Sequence, residues 1–243
     1  MRCLPTPTST PHPDLTRGYL QAHARTLSEV FADSPTDGGG VGFVLSTLPG
    51  TAAPILWLQD QMSQSESGRP YLPGLLAMRA VIHLTLPRAA DVLWAMEEGL
   101  RCASLAMVIG EVWGAPSVLD FTATKRLATR AEASNLPCWL IRRAATPDLS
   151  ATRNRWRVAS LPSLPHPHDP QAPGDPRWQV ELFRSRAAHP GTWVARYDRA
   201  ADRVGFSAAF RDGPLADGDG TAGLRTAGLR TAGLRTAGLC AAG

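Results

Sequence analysis

The chain has 243 residues, 44% of them hydrophobic, which suffices for one domain with a buried core and excludes global disorder. A formal net charge of +4 admits an acidic or nucleic-acid partner without demanding one. No apolar run reaches the roughly 18 residues of a membrane span, and Met1 to Pro13 lacks the apolar segment of an export signal, so the chain reads as cytoplasmic with no membrane partner.

The basic charge is nearly all arginine, and Lys125 is the single lysine. Cys3, Cys102, Cys138 and Cys240 form no C-x-x-C pair, so neither a zinc site nor a disulfide framework is expected. Cys102 and Cys138 sit in apolar surroundings and read as small core residues.

Residues 1–26 read as a flexible N-terminal arm. Leu27-Ser-Glu-Val-Phe-Ala32 is a short strand with apolar alternation. Asp33 to Gly40 is a turn-rich loop, and Val41 to Leu48 a short apolar helix. Pro54 to Gln59 is a buried strand ending at Asp60, followed by a polar, glycine-rich stretch. Ala80 to Thr85 is a third strand. Arg88 to Cys102 is the clearest helix, with Val92, Leu93, Met96, Leu100 and Cys102 largely on one side and Glu97, Glu98 and Arg101 on the other. Leu105 to Ile109 is a fully apolar strand of the kind found inside parallel sheets. Ser117 to Ala133 is a second long helix, and Pro137 to Ile141 another buried strand.

Strands alternating with helices predict a parallel sheet with right-handed crossovers. From about residue 146 the pattern changes to strands without helices, at Arg155–Ala159, Trp178–Phe183, Thr192–Tyr197 and Val204–Phe210. An antiparallel extension is expected there, with Leu161 to Pro176 as a Pro-rich flexible loop. The domain thus runs over 27–212. Residues 213–243 form a low-complexity tail built on Thr-Ala-Gly-Leu-Arg repeats, expected to be disordered because a Gly every fifth residue opposes helix.

A strand, a Gly-rich loop and a helix also open a P-loop nucleotide site. That chemistry needs backbone N–H groups around phosphates, a Lys on the β- and γ-phosphates and a hydroxyl on Mg²⁺. The loop offers Gly38, Gly39, Gly40 and Gly42, but Phe43 and Val44 stand in the Lys and Ser/Thr places. Glu111 after the apolar strand is at best a remnant of the acid that holds the metal. Catalysis, a cofactor and a metal are therefore not expected. His166 and His168 in the Pro-rich loop are too loosely placed for metal chemistry, and Trp57, Trp94, Trp113 and Trp139 read as packing residues.

Asp91-Val-Leu-Trp-Ala-Met-Glu-Glu-Gly-Leu-Arg-Cys102, followed by Val108-Ile-Gly-Glu-Val-Trp-Gly114, resembles the central signature of ImuA proteins. Leu27 to Ala32, Ile55 to Gln59, Tyr71-Leu-Pro-Gly-Leu75, Leu119 to Ala128, Thr152 to Val158 and Val180 to Arg186 fit in the same order. The resemblance implies an α/β fold with a RecA-like core, a mostly parallel sheet flanked by helices, and a C-terminal antiparallel strand extension. It implies a non-catalytic accessory role in the SOS response, in damage-induced mutagenesis by translesion DNA synthesis. The implied partners are ImuB, a Y-family polymerase relative, and an error-prone DNA polymerase, with RecA as a further one. The second reading is a cell-division inhibitor of the SulA type.

In RecA itself, loops after the later core strands hold single-stranded DNA. The matching region here carries Arg142, Arg143, Arg153, Arg155 and Arg157, with Trp156 among them. Two readings stand open: a weak single-stranded DNA contact along a phosphate track, or arginines turned to solvent from a half-buried strand.

Overall fold

A computed structural model of the chain describes residues 25–71 and 80–208. Most of the expected N-terminal arm, the Leu72–Leu75 part of the Tyr71–Leu75 motif, Cys3, Cys240 and the repeat tail lie outside the described residues.

In chain order the elements are β1 (Leu27–Ala32), α1 (Gly39–Ser46), β2 (Ile55–Asp60), α2 (Gln61–Ser67), β3 (Val81–Leu86), α3 (Ala89–Gly99), β4 (Met107–Trp113) and α4 (Phe121–Ser134). Then follow β5 (Cys138–Arg143), β6 (Asn154–Leu161), β7 (Pro165–His166), β8 (Asp169–Pro173), β9 (Arg177–Ser185), β10 (Gly191–Asp198) and β11 (Arg203–Ala208). The main sheet runs β11-β10-β9-β6-β1-β5-β4-β2-β3. Strands β6, β1, β5, β4, β2 and β3 are mutually parallel, while β9, β10 and β11 continue the β6 edge antiparallel. This large, mostly parallel sheet, flanked by helices and extended by antiparallel strands, is consistent with a RecA-like core.

The central strands are apolar on both faces because both faces are covered. Val30, Trp57, Ile109, Trp139 and Trp156 share one face with Phe43 and Val44 of α1. Leu58, Val108 and Leu140 share the other with Val92 and Met96 of α3 and Leu127 of α4. Two glycines set how closely α3 lies on the sheet: a Cβ on Gly110 would strike Met96, and one on Gly99 would strike Leu56. Helix α4 starts where the Asp120 carboxylate accepts the Ala123 N–H at 2.7 Å and ends at Asn135 in the left-handed conformation, φ 57°. Lys125 is exposed on its outer side.

Several expectations change. Helix α2 fills the polar stretch after β2: Asp60 caps it by accepting the Ser63 N–H, and it buries only Ser63, so no apolar stripe announces it. Strand β4 runs on to Trp113, which puts Glu111 inside the strand instead of after it. Strand β5 likewise takes in Arg142 and Arg143. Strand β6 is parallel to β1, so the antiparallel run begins only at β9. The Pro-rich loop contains the β7–β8 hairpin. Trp94 is 67% exposed and Cys102 is exposed, so neither is a core residue, whereas Cys138 is buried. No helix among the described residues is long and apolar enough to cross a membrane.

Phe43 holds the α1 face together. Its ring lies 5.3 Å from Trp156, 6.1 Å from Trp139, and 6.4 Å from both Trp178 and Phe206. Removing a fully buried Phe ring costs about 3–5 kcal/mol. Phe43→Ala should therefore lower the unfolding free energy by that order, read from urea denaturation followed by intrinsic tryptophan fluorescence, without changing the far-ultraviolet spectrum of the folded protein.

Candidate functional site

The carboxyl ends of parallel strands are where open α/β sheets bind ligands. Here that place is taken by the 33–38 loop between β1 and α1, with Glu111 of β4 and Arg143 of β5 beneath it.

Glu111 is fully buried. It stands directly opposite Gln59 in the β2–β4 ladder and diagonally from Arg143 across the β4–β5 ladder. It accepts hydrogen bonds from Gln59 Nε2 at 2.8 Å, Trp57 Nε1 at 3.3 Å and Arg143 Nε. Gln59 Oε1 lies 2.7 Å from His83 Nε2, and burial together with Arg69 pushes the His83 pKa down against the pull of Glu111. The three donors to Glu111 satisfy a carboxylate that is cut off from water.

The other end of Arg143 reaches the loop. Its Nη1 donates to the carbonyl oxygens of Pro35, at 3.0 Å, and Asp37, at 3.2 Å. A phosphate cradle turns N–H groups inward. This loop instead turns two carbonyls toward a guanidinium. The start of α1 is occupied as well. The Asp37 carboxylate accepts the Gly39 N–H at 2.7 Å and the Ser160 N–H at 2.8 Å, and the Ser160 hydroxyl donates to it too. Burial raises the Asp37 pKa, but the bonds from Ser160 and Gly39 and the nearby Arg143 outweigh this and hold its carboxyl below the usual range. Of the expected loop glycines, Gly38 and Gly42 are joined by a backbone bond in the first turn of α1, Gly42 N–H to Gly38 O at 3.0 Å. Gly39 and Gly40 are buried there, facing Ser160 and Val30. Phe43 and Val44 point into the core.

The five expected arginines are not brought onto one surface. Arg142 and Arg155 lie buried on the opposite face of the sheet from Arg143. Glu29 and Asp148 together neutralise both: Arg155 Nε is 2.6 Å and Arg142 Nη1 3.6 Å from Glu29, and Asp148 lies 3.5 Å from Arg142 and 3.6 Å from Arg155. Ser150 Oγ adds a third bond to Glu29 at 3.2 Å, and Phe31 lies under both guanidinium groups, 5.2 and 5.5 Å from ring centre to cation. Arg153 pairs with Glu132, and Arg157 pairs with Glu181 at 2.8 Å while covering Phe183. Trp156 is core and offers no surface for stacking on a base. Asp37, Gln59 and Glu29 escaped the sequence reading. The signal for Glu29 was an acid set among the apolar residues of Leu27–Ala32. Among the described residues no group of three or more His, Cys, Asp or Glu is arranged to hold a metal.

Glu111→Ala leaves the Arg143 charge buried without its carboxylate and should destabilise the fold by about 3–5 kcal/mol, whereas Glu111→Ala with Arg143→Met should recover part of the loss. Urea denaturation of the four members of that cycle measures the coupling. Folding lowers the Asp37 pKa, so its contribution is present above the unfolded-state value near 4 and is lost as pH falls through the folded-state value. The difference in melting temperature between wild type and Asp37→Asn should therefore be full at pH 7 and shrink below about pH 4. A difference independent of pH would exclude the charge as its cause.

No protein-family model matches the chain. Protein ImuA from two strains of Caulobacter vibrioides is 33% identical to it over 144 residues, covering 54% of this chain and 57% of the relative. The chain thus spans about half the length of the curated relatives it matches. Added to the α/β core already described, this similarity relates the matched part of the chain to protein ImuA.

Proposed function

We propose that the chain is a non-catalytic, RecA-like accessory protein of damage-induced mutagenesis. It acts in the cytoplasm, within the SOS response, as an adaptor for an ImuB-type Y-family polymerase relative and an error-prone DNA polymerase during translesion synthesis. Kinship with ImuA supports the biological setting. The observation that carries the non-catalytic half is the self-occupied loop. Asp37 sits where an anion would bind at the start of α1, and Arg143 fills the loop that phosphates would enter. Gly38, Gly39, Gly40 and Gly42 are then the remains of a nucleotide loop, and Glu111, committed to Arg143, is a remnant acid with no capacity left for a metal.

An adaptor of this kind works through its surfaces. Contact with ImuB, and with RecA, would use the sheet edges through which RecA-like cores assemble. A phosphate track over the five arginines narrows to Arg153 and Arg157, because the charges of Arg142, Arg143 and Arg155 are spent inside.

The purified protein should hydrolyse ATP no faster than a protein-free control, and Glu111→Ala should leave that baseline unchanged. Deleting the gene should lower mutation frequency after ultraviolet damage while damaged cells still elongate. Unchanged mutation frequency with loss of filamentation would replace this reading with a division inhibitor of the SulA type. Failure to co-elute with ImuB at micromolar concentration would remove the adaptor role.

A further inference from the structure

With three of the five expected arginines neutralised inside the fold, the unspent positive charge lies elsewhere. A pocket of about 410 Å³ opens at the amino ends of β1 and β6, away from the loop just described. Thr26 precedes β1, Arg153 and Asn154 lead into β6, and Glu132 comes from the last turn of α4. Asn154 faces Ser185 across the ladder to antiparallel β9, so Arg186 leaves that strand beside Arg153. Arg25 closes the rim.

Three guanidinium groups surround one carboxylate, a local charge of +2. Glu132 is already engaged: Arg153 holds both of its oxygens, and Thr26 Oγ1 donates to it at 3.1 Å. Arg153 and Thr26, with Arg186 acting through space, hold its carboxyl below the usual range. Among the described residues neither Arg25 nor Arg186 has a carboxylate partner of its own. The carboxyl end of α4 adds partial negative charge that favours gathering cations here, but it does not neutralise two of them.

We infer that this pocket binds phosphodiester oxygens of a nucleic-acid backbone, with single-stranded DNA as the ligand. Guanidinium forks match phosphate oxygens two bonds at a time. A protein partner is the poorer fit, because among the described residues Ala187 is the only apolar side chain lining the pocket and an interface hot spot needs a larger apolar seat. A polymer suits it better than a free phosphate. Arg25 also lines a neighbouring hollow of about 310 Å³, where Thr47, Thr51 and Asn135 stand among apolar Leu105, Ala106 and Leu136, so the path runs on beyond one phosphate onto a surface that can take polar and apolar parts of a nucleotide. The inference deepens the adaptor reading by giving the adaptor its own hold on DNA.

The test is fluorescence anisotropy with a labelled oligothymidine of about 20 nucleotides, longer than a typical single-strand site. Wild type should bind with strong salt dependence. Arg25→Glu with Arg186→Glu should weaken binding by about tenfold or more and flatten the log–log salt slope by about 1.4, two phosphates at roughly 0.7 each. Glu132→Gln should tighten binding. The charge-matched control, Arg88→Glu with Arg199→Glu, should bind as wild type does. Equal losses in both double variants, an unchanged affinity in the first, or no binding by wild type would overturn the site. Competition by polyglutamate as strong as that by unlabelled oligothymidine would reassign it to an acidic protein, and full competition by millimolar inorganic phosphate would reduce it to a free-anion site. Circular dichroism and melting temperature confirm that each variant is folded. Co-elution with ImuB, measured on the same variants, should persist, so the DNA site and the adaptor role fail separately.

Discussion

Taking a carboxylate and a guanidinium out of water costs several kcal/mol per ion, and their mutual attraction offsets this only with good geometry and further hydrogen bonds. The Glu111–Arg143 pair meets that condition. Gln59 and Trp57 fill the remaining capacity of the acid, and two loop carbonyls that of the base. Four separate segments are thereby held together: β2, β4, β5 and the 33–38 loop. An apolar pair of equal volume could fill the space, but only a planar fork can bond the acid and both carbonyls at once. The ion pair thus fixes where the loop lies, and the loop fixes where α1 begins.

The opposite face repeats the device with different parts. Glu29 stands between Arg142 and Arg155, with Ser150 as a third donor and Phe31 beneath the cations. This ties β1 to both its neighbours and pins the β5–β6 connection to the sheet. The two clusters together explain why a strongly arginine-rich chain shows so little free charge at the carboxyl ends of its parallel strands. Its positive charge there is structural, and what remains for a ligand lies at the amino ends, around Arg25 and Arg186.

Apolar strands were legible because alternation and continuous apolar runs are local signals: Leu27–Ala32 and β2 fall within a residue of their expected bounds. The helices α3 and α4 were legible from their stripes. Helix α2 was not, since it buries one serine and depends on the Asp60 cap. The charged ends of β4 and β5 looked like loop because Glu111, Arg142 and Arg143 are compensated by residues distant in sequence; Arg155 finds Glu29 across 126 positions. No local pattern can report such a partner. The candidate site was therefore visible as a loop lacking its lysine, but not as a loop filled by the chain's own side chains.

One detail of α4 reaches beyond the fold. Lys125, the single lysine, stands exposed on that helix, flanked by arginines whose guanidinium groups stay protonated and poorly nucleophilic at neutral pH. Apart from the α-amino group, amine-directed reagents therefore meet one side chain on a known face of the domain. A dye, a cross-linker or a surface tether joined to that side chain would sit at one defined point, on the outer side of α4.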